Sequence, residues 1–354
     1  MILVNLAYLL SKPTGTTTYA LNLLPHLEPL HPCCLATPSS QLMQYHSVPS
    51  NMTAEFGMAG HLRRLLWTQF RLPQIYQQQA AQLLFSPITE APLRSRCRFV
   101  VTVHDLTPLR FPALFSSLKW LYRYYVPQVL QAAEHIICDS EATASDIVTF
   151  YGIKANKITP ILLAHDANQF RPLELATKNY FLILGRHAPY KNISGAIAAF
   201  AQLPERDRYE LWIAGPYDSR YTPVLESQAA TLGLASHIKF LQYVPYAQLP
   251  QLLSQAIALV FPSFWEGFGL PALEAMACGT PVIASNLSSL PEVTGSAAWL
   301  IDPHNTDEMA TAMHAIATCP PLRQQLSEAG LKRASQFSWE KTGKATVAVL
   351  QSCL

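Results

Sequence analysis

Short apolar runs alternate with helix-length segments along the whole chain, the pattern of parallel sheets wrapped by helices. In the first half, the runs at residues 2–9, 83–86, 99–104, 135–139 and 158–163 predict strands, and residues 19–27, 118–133 and 140–150 predict helices. The second half is more regular. Its predicted strands are 180–184, 210–214, 238–241, 258–261, 281–284 and 298–301, with helices at 192–202, 221–232, 249–255, 271–278 and 307–317. Gly or Pro closes most strands, where a turn must redirect the chain. The segment LLAHDANQFRP (162–172) has no periodicity and marks a junction. A last helix near 339–350 follows a complete second domain and is expected to return to the first. The expected domains are therefore 1–168, 169–336 and the returning segment 337–354.

Composition narrows the class. The 354 residues suit two domains, and at 50% hydrophobic residues each can bury a core. With 25 Lys plus Arg against 23 Asp plus Glu, the net charge is +2, too near zero for a dedicated nucleic-acid binder. The seven Cys contain no CxxC pair, which fits neither a zinc site nor a disulfide framework and agrees with a reducing cytoplasm. The opening MILVNLAYLL reads as a buried strand, not a signal peptide, and no apolar run reaches the roughly 18 residues of a membrane span. A soluble, cytoplasmic protein is expected. Charge is unevenly spread, however. Between His61 and Arg123 nine cations face only Glu90 and Asp105, a net +7. There HLRRLLWTQFRLPQIY interleaves Arg63, Arg64 and Arg71 with Leu62, Leu65, Leu66, Trp67 and Phe70. It reads either as a segment lying in an anionic bilayer surface or as a core helix with a solvated basic face.

Three segments carry candidate chemistry. In IALVFPSFWEGFGLPALEAMACGTPVIAS (257–285) a strand enters a loop with Glu266, Gly267 and Gly269, then a helix opened by Pro271 and carrying Glu274. Unpaired N–H groups at such a helix start suit a diphosphate. Carboxylates would repel it but can accept hydrogen bonds from sugar hydroxyls. The plain alternative is a turn with two solvated glutamates. In LILGRHAPYKNI (182–193), Arg186 and Lys191 lie between a strand end and a helix start, able to converge on one anion or simply to be surface cations. In VVTVHDLTPLRFP (100–112), His104 and Asp105 end a strand; the imidazole is either a neutral donor to a substrate hydroxyl or a packed, satisfied ring. The first loop, SKPTGTTTYA (11–20), has one glycine, Gly15, and lacks the dinucleotide fingerprint. Asp-x-Asp, HExxH, Walker A and G-x-S-x-G are all absent, so no metal ligand set or cofactor is implied.

GRHAPYKN (185–192), LWIAGP (211–216), residues 240–285, VTVHDLTPLRFP (101–112), CDSEATASDI (138–147) and FSWEKTGKAT (337–346) together resemble the retaining glycosyltransferases of family 4. The opening VNLAYLLSKPTGTTTYALNLLPHL is similar to cyanobacterial exopolysaccharide transferases. The resemblance implies a GT-B fold, two α/β Rossmann-like domains facing a cleft, and a metal-independent hexosyltransferase. By motif it implies that Arg186 and Lys191 bind the donor diphosphate, and that Glu274 binds the ribose hydroxyls. Glu266, Gly267 and the amides of Phe268, Gly269 and Leu270 would hold the donor sugar, and Tyr243 and Val244 would border the base. Gly15 and Thr16 would face the diphosphate from the first domain, with His104 near the reacting centre. The first loop departs from the family's frequent glycine pair: Lys12-Pro13-Thr14-Gly15 offers one. Residues 27–84 match little and are expected to carry acceptor choice. The implied partners are a nucleotide-sugar donor, UDP-glucose first and GDP-mannose second, and a saccharide or lipid-linked acceptor. A UDP-sugar epimerase, a catalytically silent GT-B partner protein and a nicotinamide dehydrogenase are the competing readings.

Overall fold

The computed structural model describes residues 1–10, 15–37, 45–112 and 118–354. The chain divides into two compact units, Met1–Leu163 with Trp339–Leu354, and Ala164–Ser338.

The first unit is built on seven strands: β1 (Ile2–Asn5), β2 (Pro32–Ala36), β3 (Tyr45–Ser47), β4 (Leu83–Ser86), β5 (Phe99–Val103), β6 (His135–Cys138) and β7 (Ile158–Pro160). Their order is β3-β2-β1-β4-β5-β6-β7, and every pairing is parallel. All residues of β1, β4 and β5 are buried, as a parallel sheet covered on both faces requires. The helices are α1 (Gly15–Leu23), α2 (Gly57–Phe70), α3 (Leu72–Gln78), α4 (Thr107–Arg110), α5 (Val126–Ala132) and α6 (Glu141–Tyr151). Strand β1 stops short of the expected residue 9. Buried Asn5 accepts the Ala7 N–H on its side-chain oxygen at 3.3 Å, which turns the chain out of the sheet. Helix α1 also departs from expectation, starting at Gly15 and giving way to a 3₁₀ segment at Leu24, where Pro25 and Pro29 remove amide donors. The expected helix at 118–133 contains a π turn, Leu121–Tyr125, before α5.

The second unit has β8 (Tyr180–Leu184), β9 (Glu210–Ala214), β10 (Ile238–Gln242), β11 (Ala258–Phe261), β12 (Val282–Ser285) and β13 (Trp299–Ile301). They form a parallel sheet in the order β10-β9-β8-β11-β12-β13. Its helices are α7 (Ile193–Ala201), α8 (Thr222–Thr231), α9 (Leu249–Ser254), α10 (Leu270–Ala277), α11 (Leu290–Thr294), α12 (Thr306–Thr318) and α13 (Pro320–Ala334). Ile197 and Phe200 of α7 and Met313 and Ile316 of α12 are fully buried in one cluster with Ile213 and Val260 of the sheet. Each such side chain contributes about 1.5–3 kcal/mol relative to exposure.

The last helix, α14 (Trp339–Ser352), packs on the first unit. Thr342 Oγ1 donates to the Leu162 carbonyl at 2.7 Å, Thr346 and Leu350 are fully buried, and the Trp339 ring lies 6.2 Å from that of Tyr19. All seven cysteines are free thiols. Among the described residues no helix is long and apolar enough to cross a membrane.

Candidate active site

In the second unit the strand order reverses between β8 and β11, which pair directly, Phe181 with Ala258 and Leu182 with Leu259. Ligands of open α/β sheets bind beyond the carboxyl ends of strands at such a reversal. Both motif loops emerge there. The β8 loop carries Gly185, Arg186 and Lys191; the β11 loop carries Glu266 to Gly269 and feeds α10. The Phe264 N–H donates to the Tyr190 carbonyl at 2.8 Å, tying the two loops together.

Lys191 Nζ donates to Glu266 Oε1 at 2.6 Å, with both side chains largely buried, and it lies 5.4 Å from the centres of the Phe261 and Tyr190 rings. The structure thus joins the residue expected on the diphosphate to the one expected on the sugar. Arg186 is exposed and makes no ion pair among the described residues. Gly269 precedes α10 with φ +103°, and a Cβ there would sit 2.6 Å from Leu290 Cδ2. This is a position only glycine fills without strain. Phe268 is buried, Leu270 opens α10, and Pro271 supplies no N–H of its own.

Glu274 lies on α10, 7% exposed, and burial pushes its carboxyl up to about 8. Such a group gains from hydroxyl donors that replace the water it has lost. Nearby, the buried Tyr246 hydroxyl has no partner among the described residues, and the Tyr246 ring packs edge-on to Phe170 at 5.2 Å. Tyr243 is half exposed and Val244 half-buried, just past the end of β10.

Sequence reasoning missed the two serines that brace the β11 loop. Ser288 Oγ accepts the Glu266 N–H at 2.9 Å, and Ser289 Oγ lies 3.1 Å from the Glu266 carbonyl and 2.8 Å from that of Phe268. Their signal was the run NLSSLPE after β12, which reads as an ordinary turn. Also missed was His187, beside Arg186. It is buried, its Nδ1 meets Thr222 Oγ1 at 2.8 Å, and its Nε2 is unpartnered among the described residues.

In the first unit, Gly15 is exposed at the start of α1, and the Thr16 carbonyl accepts from Tyr8 Oη at 3.4 Å. Lys12, Pro13 and Thr14 lie outside the described residues. Of the two readings of His104, the structure shows the packed, satisfied ring. Nδ1 donates to Asp139 Oδ2 at 2.7 Å and Nε2 to the Pro87 carbonyl at 2.9 Å, with the Tyr19 ring edge-on at 4.9 Å. Both ring nitrogens are thus engaged within the fold. Burial disfavours a charged ring, but the neighbouring Asp139 outweighs it and raises the histidine above its ordinary value, while burial raises the Asp139 carboxyl as well.

A separate cavity of about 360 Å³, lined by Lys178, Tyr180, Trp212 and His237 among others, opens at the amino ends of β8 to β10. That is the wrong end of the sheet for this site. Among the described residues no group of three His, Cys, Asp or Glu side chains is placed to hold a metal ion.

Two parallel α/β units, the second with cations and hydroxyl acceptors at its strand reversal, define the GT-B class of glycosyltransferases. The comparisons agree. A family model described as Glycosyltransferase Family 4 matches residues 13–169, and one described as Glycosyl transferases group 1 matches 165–333. The chain belongs to glycosyltransferase family 4. It is 33% identical over 264 residues to an O-antigen chain mannosyltransferase B of Escherichia coli, covering 71% of this chain and 69% of that one. It is 30% identical over 232 residues to an MMP alpha-(1->4)-mannosyltransferase of Mycolicibacterium hassiacum, covering 64% and 56%. Among solved structures, HepE from Anabaena in complex with UDP-glucose superposes with a TM-score of 0.78 at 19% identity, over 100% of this chain and 99% of that one. Sucrose-phosphate synthase from Thermosynechococcus elongatus gives 0.78 at 19%, over 99% and 98%. At that identity the likeness shows the fold.

Proposed function

We propose that the chain is a retaining, metal-independent hexosyltransferase. It moves a sugar from a nucleotide-diphosphate donor to a saccharide or lipid-linked saccharide in polysaccharide biosynthesis. The observation that carries this reading is the meeting of the β8 and β11 loops at Lys191 and Glu266, above the strand reversal. Breaking the anomeric C–O bond leaves negative charge on the departing diphosphate. Arg186, Lys191 and the N–H groups at the start of α10 are the preorganised partners for that charge. Glu266 and Glu274 accept hydroxyl hydrogen bonds, from the sugar and the ribose respectively, and so position the donor. No carboxylate is assigned as nucleophile. The acceptor oxygen bonds to the anomeric carbon on the face the diphosphate leaves, and its proton passes to the departing phosphate oxygen. The roles of Gly15, Thr16 and His104 rest on the resemblance alone, as do those of Tyr243 and Val244.

For the donor, three relatives at 30–33% identity are named mannosyltransferases, beside two named D-inositol 3-phosphate glycosyltransferases and none of these named for glucose. This favours GDP-mannose and reverses the order read from the sequence, with UDP-glucose second. A lipid-linked acceptor would place the protein at the cytoplasmic leaflet. A thermal-shift panel of nucleotide sugars should single out one donor, because a ligand that binds the folded state raises its melting temperature. Release of nucleoside diphosphate with an acceptor present, undiminished by EDTA, is the expected activity. Binding without release identifies the silent partner protein, and interconversion of UDP-sugars the epimerase.

A further inference from the structure

We infer that the cavity at the amino ends of β8 to β10 is a saccharide-binding site separate from the transfer centre. Side chains alternate between the two faces of a strand. On β9, Leu211 and Ile213 point into the buried cluster, whereas Glu210 and Trp212, on the other face, are only half-buried. A parallel sheet is ordinarily covered on both faces. Here the cover stops short, and an indole is left in the wall of a cavity. That indole is held in one orientation. Its ring stacks on Tyr180 with centres 3.8 Å apart and planes 3° from parallel, and Nε1 donates to Glu210 Oε2 at 2.6 Å. Glu210 accepts also from Lys239 Nζ at 2.8 Å, and the buried Tyr180 donates from Oη to the Leu252 carbonyl at 2.6 Å. A ligand that settles on rings already fixed loses little binding energy to ordering them.

The polar lining sets the chemistry of that ligand. Among the residues of the wall, Lys178 and Arg208 are balanced by Asp207 and Glu210, and Arg208 is paired besides with Glu205 at 2.6 Å. An anion such as a nucleotide therefore finds no net attraction. The Asn179 amide and the Ser236 hydroxyl, both on exposed residues, offer donors and acceptors together. His237 donates from Nδ1 to the Tyr209 carbonyl at 3.2 Å, and exposed Asp207 stands 3.6 Å from its Nε2 with carboxylate oxygens open to hydroxyl donors. A concave wall that joins aromatic rings to a few placed polar groups fits a small neutral ligand. A pyranose has both halves of the match: an apolar C–H face for the rings, and hydroxyls that each donate and accept. Lys191 and Glu266 follow the carboxyl ends of β8 and β11, so a saccharide held at the amino ends leaves them free. Retaining a growing chain here would raise its local concentration between transfers. That use rests on the proposed function; the binding itself does not.

The test is titration calorimetry of the full chain with linear tetrasaccharides of α-mannose, α-glucose, β-galactose and α-rhamnose. Binding of at least one is expected, and saturating GDP or UDP should leave it unchanged. Trp212→Leu removes the indole, and Asp207→Ala removes only an exposed carboxylate and should keep the parent melting temperature. Each should weaken the binding at least about tenfold. Nucleoside diphosphate release with a monosaccharide acceptor should persist in both variants, while KM rises for a long acceptor. Absence of tetrasaccharide binding overturns the proposal, as does binding that both substitutions leave unchanged. Tighter binding of inorganic phosphate than of any tetrasaccharide, lost in Lys178→Ala, overturns it in favour of an anion site. Tetrasaccharide binding that depends on Trp212 and Asp207, in a protein that releases no nucleoside diphosphate from any donor, upholds this site and counts against the proposed function.

Discussion

Lys191 is already engaged with Glu266, so in the proposed reading a diphosphate would share it, with exposed Arg186 supplying further positive charge. Arg186→Ala or Lys191→Ala should each lower kcat/KM at least about tenfold, a loss of roughly 1.4 kcal/mol, read by nucleoside diphosphate release. Near-normal turnover in both would remove them from the site. Glu274 gives a sharper test. Its folded-state carboxyl sits near 8 against an ordinary 4.5, so between those values the folded protein holds a proton the unfolded one has lost. Stability from this group is therefore present at low pH and declines as pH rises through that window. Ribose hydroxyls favour the carboxylate, so donor affinity should rise with pH and binding near pH 8 should release a proton. Titration calorimetry in two buffers of different ionisation heat measures this, and Glu274→Gln should abolish the release. Much of this site was legible because Lys191 and Glu266 flank strand ends, a position that sequence periodicity reveals. The partners of Arg64, Glu266 and His104 were not. Glu90, Ser288 and Asp139 stand 22 to 35 residues away, and no local pattern reports a hydrogen bond that the fold alone creates.

At the scale of elements, the strand-to-helix turn at Gly269 holds the donor loop in shape. Gly269→Ala forces a side chain into positive φ and against Leu290, and should cost about 1–3 kcal/mol. Chemical denaturation would show the loss, and nucleotide affinity should fall with it. A fully stable variant would mean that the loop has another conformation. The strands of the second unit were readable almost to the residue because each is a short, largely apolar run, and β8, β9 and β11 end directly at Gly or Pro. In the first unit, β2 escaped notice because PCCLA opens on proline and shows no alternation. Helix α2 was left between two readings for a different reason. Its apolar residues do follow a helical ridge, but Arg64, buried and paired with Glu90 at 2.7 Å, takes the inward side, so that Leu62, Leu66 and Phe70 face outward.

At the scale of the molecule, α14 closes a unit whose other residues end at Leu163. The contact is close-packed: a Cβ on Gly343 would sit 2.2 Å from the Cβ of His26. Gly343→Ala should therefore destabilise the first unit by about 1–3 kcal/mol, visible as a lower first melting transition, while nucleotide binding by the second unit persists. The return of α14 was foreseeable from an amphipathic segment left over after a complete domain; its partners in the 24–30 turn were not. This connectivity also sets an order of events on the ribosome. The second unit is contiguous and can close as soon as residue 338 has emerged, whereas the first must wait, its α14-binding surface uncovered, until residues 339–352 follow. The segment made first is the last to be completed, so the nascent chain carries the surface that α14 covers unpartnered through half of its synthesis, the interval in which chaperone capture would matter most.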